Sequence, residues 1–211
     1  MIKSLNQRSK HFNQLDGLRC IAVAIVLISH WLRYKAVDLV PLGSMGVNLF
    51  FVLSGFLITR ILLISKEENG GKAIWPPIKH FYLRRTLRIF PIYYLTIIFL
   101  ALINFPSTRE NIAWLLTYTF NIKISLLSAS VNNSVGFLFH LWSLSVEEQF
   151  YIFFPLLLFL IPKSKIKSFI YSVILFGVAS RLILYVLAAP KDSLYGLMPC
   201  CLDAFGIGAL L

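Results

Sequence analysis

Acidic residues are scarce in this chain. Nine Asp and Glu serve 211 residues, against 20 Lys and Arg, and the formal net charge is +11. Charged residues of both signs make up 14% of the sequence, where a soluble domain carries about 25%. Cysteine is nearly absent as well. Cys20, Cys200 and Cys201 lack metal-ligand spacing, and the adjacent Cys200 and Cys201 are poorly placed for a disulfide with each other. A disulfide scaffold and a cysteine-built metal centre are thereby excluded, no metal site is expected, and the three cysteines read as small apolar residues in helices. There is no internal repeat and no low-complexity segment. No A-x-A cleavage site follows the first apolar run, so that run reads as an uncleaved span rather than a signal peptide. What fills the chain instead is hydrophobic sequence, 58% of residues, with a mean hydropathy of +0.77. No soluble domain of this size buries so much apolar surface. The composition therefore predicts an all-α, polytopic transmembrane helical bundle of about five to seven spans.

A span needs roughly 20 mostly apolar residues. Candidates are Leu15–Tyr34, Gly43–Ile64, Ile89–Phe105, His140–Ile161 and Ser168–Ala189, with a last one starting near Leu194. The stretch Ile112–Leu127, IAWLLTYTFNIKISLL, is shorter and carries Lys123, and is expected to lie at the interface or re-enter rather than cross. Basic residues set the orientation. They cluster as Lys3, Arg8 and Lys10 in the N-terminal tail, as Lys66, Lys72, Lys79, Arg84, Arg85 and Arg88 after the second span, and as Lys163, Lys165 and Lys167 after the fourth. All three clusters are expected in the cytoplasm, with the N-terminus, which works only if Ile112–Leu127 does not cross. Outer loops such as NNSVG at 132–136 are then poor in charge. In a membrane protein such a basic excess reflects cytoplasmic loops and anionic headgroups, and no nucleic-acid partner is expected. The final run, CCLDAFGIGALL, has no closing polar residues. Residues 1–211 are accordingly expected to be a partial transmembrane domain, stopping in mid-helix with further C-terminal helices missing.

Ionisable groups inside apolar spans are costly, and so are the candidate functional residues. The first span reads LDGLRCIAVAIVLISHW. Arg19 and His30 are 11 positions apart, which at about 100° per residue returns to within about 20° of one helix face, about 16 Å along the axis. Asp16 is placed to pair with Arg19 at i,i+3. In HLWSLSVEEQFY, His140–Tyr151, Glu147 is expected at a depth similar to that of His30. A carboxylate beside an imidazole fixes its tautomer and raises its basicity, as needed to take a proton from a hydroxyl. Glu148 is rotated by about 100° and cannot serve the same site equally, so a hydrogen bond to a neighbouring helix is its expected role. In FYLRRTLRIFPIYY, Arg85 and Arg88 share a face at i,i+3 near the cytoplasmic mouth of the third span. They suit either lipid headgroups or a clamp on a phosphorylated ligand, since guanidinium forks match phosphate oxygens. Gly43, Gly46, Ser54 and Gly55 suit close helix packing. Asn48 is a candidate to line the site, and Arg181 a costly charge for which Asp203 is a candidate partner. The competing reading of the first span is an arginine snorkelling to lipid phosphates and a histidine bonded to a backbone carbonyl.

Five stretches together resemble the acyltransferase-3 family of integral membrane acyltransferases: LDGLRCIAVAIVLISHW, GVNLFFVLSGFLITR, RRTLRIFPIYY, HLWSLSVEEQFY and LDAFGIGALL. They occur in the family's order from about Gln14 to the end of the chain. The resemblance implies an enzyme of the bacterial cytoplasmic (inner) membrane. Such an enzyme moves an acyl group, often acetyl, from cytoplasmic acyl-CoA to a hydroxyl of an envelope glycan or lipid-linked sugar. Acyl-CoA is then a co-substrate, with no permanently bound cofactor. The family's Arg-x10-His motif falls on Arg19 and His30, its paired arginines on Arg85 and Arg88, and the Glu of its W-S-L block on Glu147. The roles implied are general base for His30, its orientation by Glu147, and CoA phosphate binding by Arg85 and Arg88. Arg19 would organise the first helix or the thioester path, with Asn48, Trp142, Ser143 and Asp16 in support. The chain departs from the family pattern at Cys20, usually Gly, at Asn48, commonly Asp, and at Cys201, often Arg. Residues 1–211 are expected to supply fewer spans than the family's usual ten or so and no appended serine-hydrolase domain. Two other readings stay open: a small transporter or ion-path subunit using Arg19, His30 and Glu147, and an inactive fragment of such an enzyme.

Overall fold

The computed structural model describes residues 13–31, 41–70, 74–126 and 136–211, and among these residues it is helical with no strand. Lys3, Arg8, Lys10, Lys72, residues 32–34 of the first expected span and 132–135 of the expected outer loop lie outside the described residues. The long elements are α1 (Asn13–Trp31), α2 (Leu42–Glu68) and α3 (Trp75–Leu102). Two short helices follow, α4 (Ile112–Leu116) and α5 (Phe120–Leu126), then α6 (Leu141–Leu160), α7 (Ile166–Val186), α8 (Lys191–Gly196) and α9 (Met198–Leu210). Among the described residues, five segments are long and apolar enough to cross a membrane: Leu42–Glu68, Trp75–Leu102, Leu141–Leu160, Lys163–Val186 and Lys191–Leu210. This is an all-α polytopic bundle.

α9 is its central element, packed between α2 and α7, while α1 lies on the other side of α2. Small residues permit the close crossings. A Cβ on Gly46 would meet Val26 and the Ala22 carbonyl of α1, and one on Gly55 would strike the Phe205 carbonyl of α9. Aromatic rings fill the junction of α2, α6 and α9. Phe205 stacks on Phe150 at 4.0 Å and on Phe51 at 4.7 Å between ring centroids, and all three rings are buried.

α2 continues past Ile64, and this places Lys66 at the end of α6. Its ammonium donates to the carbonyls of Leu158 (2.8 Å), Phe159 (3.2 Å) and Ile161. The last carbonyls of a helix lack intrahelical donors, and a cation there also meets the negative end of the helix dipole. Lys66→Met is expected to cost about 1.5–3 kcal/mol, the value of hydrogen bonds to a charged donor, with Lys66→Arg restoring part of it. Denaturant unfolding in detergent micelles measures the loss. A midpoint unchanged by Lys66→Met would show that water or lipid headgroups replace the ammonium.

The third span begins at Trp75, not Ile89, so Arg84, Arg85 and Arg88 sit within α3 rather than at the end of a loop. Pro76 and Pro77 follow Trp75 in the first turn, where a missing N–H is harmless and the fixed φ favours helix. Ile112–Leu127 is broken and contains no helix of spanning length. Tyr118 takes a left-handed conformation (φ 53°), which closes α4 as the Thr119 N–H bonds to the Trp114 carbonyl at 3.0 Å. Tyr93 and Tyr94 of α3 donate to the carbonyls of Leu115 (2.8 Å) and Leu116 (3.1 Å), and the Tyr93 ring stacks on Tyr118 at 4.4 Å. On its other side the broken segment is tied to α6. Gln149 Nε2 donates to the Tyr118 carbonyl and to Asn121 Oδ1, both at 2.8 Å. The carbonyls freed where the segment breaks are satisfied by protein partners in this way.

Candidate active site

Among the described residues, the candidate site residues of α1, α2, α3 and α6 fall chiefly into two polar centres. The first is a cavity of about 240 Å³ where α1, α2, α5 and α8 meet the start of α6. His30 and Ser29 come from α1, Ser44 from α2, Trp142 from α6, and Asp192 and Tyr195 from α8. Val47, Ile124 and Phe139 supply apolar wall. His30 is near the C-terminal end of α1, so its imidazole reaches the cavity from the helix end. The ring of Trp142 is held edge-on against Phe51 at 6.3 Å between centroids. Ser29 Oγ donates to the Val26 carbonyl at 2.7 Å, and Ser44 Oγ to that of Pro41 at 2.9 Å. Both hydroxyl protons are thus spent on their own backbone.

α8 brings its residues to this cavity because it is anchored on two sides. Asn121 Nδ2 of α5 donates to the Gly196 carbonyl at 3.1 Å, and Ser193 Oγ to the Ser125 carbonyl at 2.6 Å. From α7, Arg181 Nε reaches the Leu194 carbonyl at 3.3 Å. Leu197 is extended (φ −80°, ψ 135°), separating α8 from α9 and allowing α8 to turn toward α5.

The second centre joins α2, α3 and α6. Ser54 Oγ and Tyr151 Oη both donate to Glu147 Oε1, and Tyr151 Oη lies 3.2 Å from Ser54 Oγ. Tyr151 stands four residues after Glu147, on the same helix face. The Arg85 guanidinium lies over the Tyr151 ring at 4.7 Å and the Phe81 ring at 5.9 Å, a cation–π arrangement. Glu148 turns the other way and is buried, and its Oε1 has no hydrogen-bond partner among the described residues. The bond to a neighbouring helix expected of Glu148 is not made by that oxygen. The buried Tyr118 phenol is likewise without a partner among the described residues, and burial, then the Glu148 carboxylate, pushes its pKa above the ordinary value.

The residues singled out from sequence are distributed over these centres. His30 and Trp142 share the cavity. Glu147 does not line it, and its hydrogen bonds go to Ser54 and Tyr151, so the expected apposition of Glu147 and His30 is replaced by two separate centres. The physical reason is rotation: Trp142 and Glu147, five residues apart, point about 140° from one another on α6. Asp16 and Arg19 form the expected i,i+3 contact at 3.9 Å, away from the cavity. Arg85 is half-buried against aromatic rings, while Arg88 is exposed. Asn48 is exposed and outside the cavity, which its neighbour Val47 lines. Ser143 Oγ donates to the His140 carbonyl at 3.1 Å. Asp192, Tyr195, Ser54 and Tyr151 were not singled out as site residues. Only Tyr151 carried a signal, its i+4 spacing from Glu147.

A polytopic bundle with ionisable groups held between its helices defines an integral membrane protein with internal polar sites. The chain belongs to the acyltransferase-3 family, whose description, Acyltransferase domain, matches residues 12–211. It is 32% identical over 206 residues to the peptidoglycan O-acetyltransferase OatA of Listeria monocytogenes, covering 90% of this chain and 31% of that protein. A Staphylococcus aureus (strain COL) protein carrying an O-acetyltransferase name is 34% identical over 163 residues, 72% of this chain and 25% of its own length. A Bacillus subtilis (strain 168) protein carrying a peptidoglycan O-acetyltransferase name is 35% identical over 162 residues, 72% of this chain and 24% of its own. The chain therefore spans about a quarter to a third of the length of these curated relatives. No solved structure matches it.

Proposed function

We propose that this chain carries the membrane part of an O-acyltransferase, moving an acyl group from acyl-CoA to a hydroxyl of an envelope glycan. The observation that carries this reading is the cavity holding the His30 imidazole beside Trp142 and Tyr195, in a chain of the acyltransferase-3 family. The names of the relatives support acetyl as the acyl group and peptidoglycan as the acceptor. The His30 ring nitrogen takes the proton of the acceptor hydroxyl. The oxygen then attacks the thioester carbonyl, a C–O bond forms, the C–S bond breaks, and the thiolate leaves and takes up a proton. Arg85 and Arg88, one turn apart on α3, supply cationic forks for the CoA phosphates. The stacking of Arg85 on Tyr151 fixes its direction, while the exposed Arg88 is the more mobile partner. Glu147 acts by tying α6 to α2 through Ser54 and Tyr151 rather than by touching His30. The Asp16–Arg19 pair braces the start of α1. The basic clusters favour a cytoplasmic N-terminus and an inner-membrane location.

Membranes containing the chain, supplied with acetyl-labelled acetyl-CoA and cell-wall glycan, test the proposal. Label is expected in the glycan as a base-labile ester, at a level well above that of membranes lacking the chain. Equal labelling in both preparations overturns it.

A further inference from the structure

Assigning the base to His30 leaves open what holds the acceptor against it. Ser29 and Ser44 direct their hydroxyl protons to backbone carbonyls, so recognition falls to Trp142, Tyr195 and the Asp192 carboxylate. Among the described residues, Asp192 is the acidic one lining this cavity, because Glu147 lies in the other centre. A carboxylate offers about four lone-pair positions, enough to accept from a ligand beside the bonds it makes within the protein. Its helix is fixed to α5 and to α7 by the bonds described above, so the carboxylate is presented from a braced backbone. A volume of about 240 Å³ leaves room for one sugar ring, and the cavity is open enough for a longer glycan to continue out of it.

Resting on the acyltransferase reading of the same cavity, we propose that Asp192 is the acceptor-positioning residue. Its carboxylate accepts hydrogen bonds from ring hydroxyls neighbouring the one that gives its proton to His30, while the ring's C–H face lies on Trp142. A carboxylate accepts strongly from hydroxyls and, in a cavity, loses those bonds when a substrate lacks the groups. The site therefore selects acceptors with adjacent hydroxyls over simple alcohols.

The test uses the whole chain in detergent, with methyl glucopyranoside and its single-deoxy analogues as probes in saturation-transfer NMR. The native protein should bind the parent glycoside in a saturable way and lose at least tenfold in affinity when a hydroxyl facing Asp192 is removed. Asp192→Asn should weaken the parent at least tenfold and level the differences across the deoxy series, with Asp192→Glu recovering part. Trp142→Ala should weaken every analogue alike. In acyl transfer, Asp192→Asn should raise the acceptor KM by a larger factor than it lowers kcat. Absence of saturable binding by the native chain, or an unchanged deoxy profile in Asp192→Asn, overturns the assignment. If Asp192→Asn does not fold, the deoxy series on the native protein still decides: equal affinities across it overturn the assignment. Transfer activity with an unaltered acceptor KM in Asp192→Asn would refute this role and leave the acyltransferase reading standing. A hydroxyl-dependent sugar site without any acyl transfer would do the reverse.

Discussion

His30→Ala is expected to lower the rate of acyl transfer by about 10²–10⁴-fold, the contribution of a positioned general base. That range corresponds to about 3–5.5 kcal/mol of transition-state stabilisation. The imidazole lines the cavity, and the other groups there are poor substitutes. A serine hydroxyl already donating to backbone is a poor proton acceptor. The Asp192 carboxylate is a weaker proton acceptor from an alcohol than an imidazole is. His30→Gln keeps the size and one hydrogen bond but cannot accept the proton as a base, so it should fall with His30→Ala. Initial rates with labelled acetyl-CoA, alongside unfolding midpoints, separate chemistry from folding. If His30→Gln keeps more than a third of the rate with a normal midpoint, the imidazole is not the base.

The second large effect concerns stability. Arg181 of α7 donates Nη1 to Asp203 Oδ2 at 2.8 Å and Nη2 to Oδ1 at 3.1 Å, a two-pronged fork, and also bonds the Cys200 and Leu194 carbonyls. This pair joins α7 to α9 and is half-buried, with 35% of the Arg181 side chain and 18% of the Asp203 side chain exposed. Removing one charge leaves the other uncompensated, which costs about 3–5 kcal/mol for a fully buried pair and, discounted for the exposure here, about 1–3 kcal/mol. Asp203→Leu is therefore expected to lose about that much in unfolding from detergent. The double variant Arg181→Leu with Asp203→Leu should regain most of it, because an apolar pair of similar volume removes the stranded charge. Equal losses in the single and double variants would show that the fork contributes through packing rather than charge. Arg181→Leu also removes the bond to the Leu194 carbonyl, so it should loosen α8 and weaken binding in the cavity more than Asp203→Leu does.

The spans were legible because lipid imposes one rule on each of them separately. A crossing segment must satisfy its own backbone and expose apolar side chains, so length and hydropathy suffice to find it. Gly43–Ile64 became Leu42–Glu68, and His140–Ile161 became Leu141–Leu160. Ile89–Phe105 was too short by more than three turns at its start, because Lys79, Arg84, Arg85 and Arg88 lower the hydropathy without breaking the helix. The Asp16–Arg19 contact and the suggested pairing of Arg181 with Asp203 followed from local spacing and from the cost of an unpaired charge.

By itself, then, the sequence determined the membrane class, five of the six expected spans, the lack of a spanning helix over 112–126, and the motifs that place the chain in the acyltransferase-3 family. Each of these depends on residues near one another along the chain. Only the tertiary structure decided which polar residues meet. It put Glu147 with Ser54 and Tyr151, and it brought His30, Trp142 and Asp192, spread over more than 160 positions, to one cavity. Depth alone cannot make that distinction. Two side chains at one level of a bilayer touch only if their helices face each other at that rotation, and rotation is set by packing, here by Gly46, Gly55 and the stack of Phe51, Phe150 and Phe205.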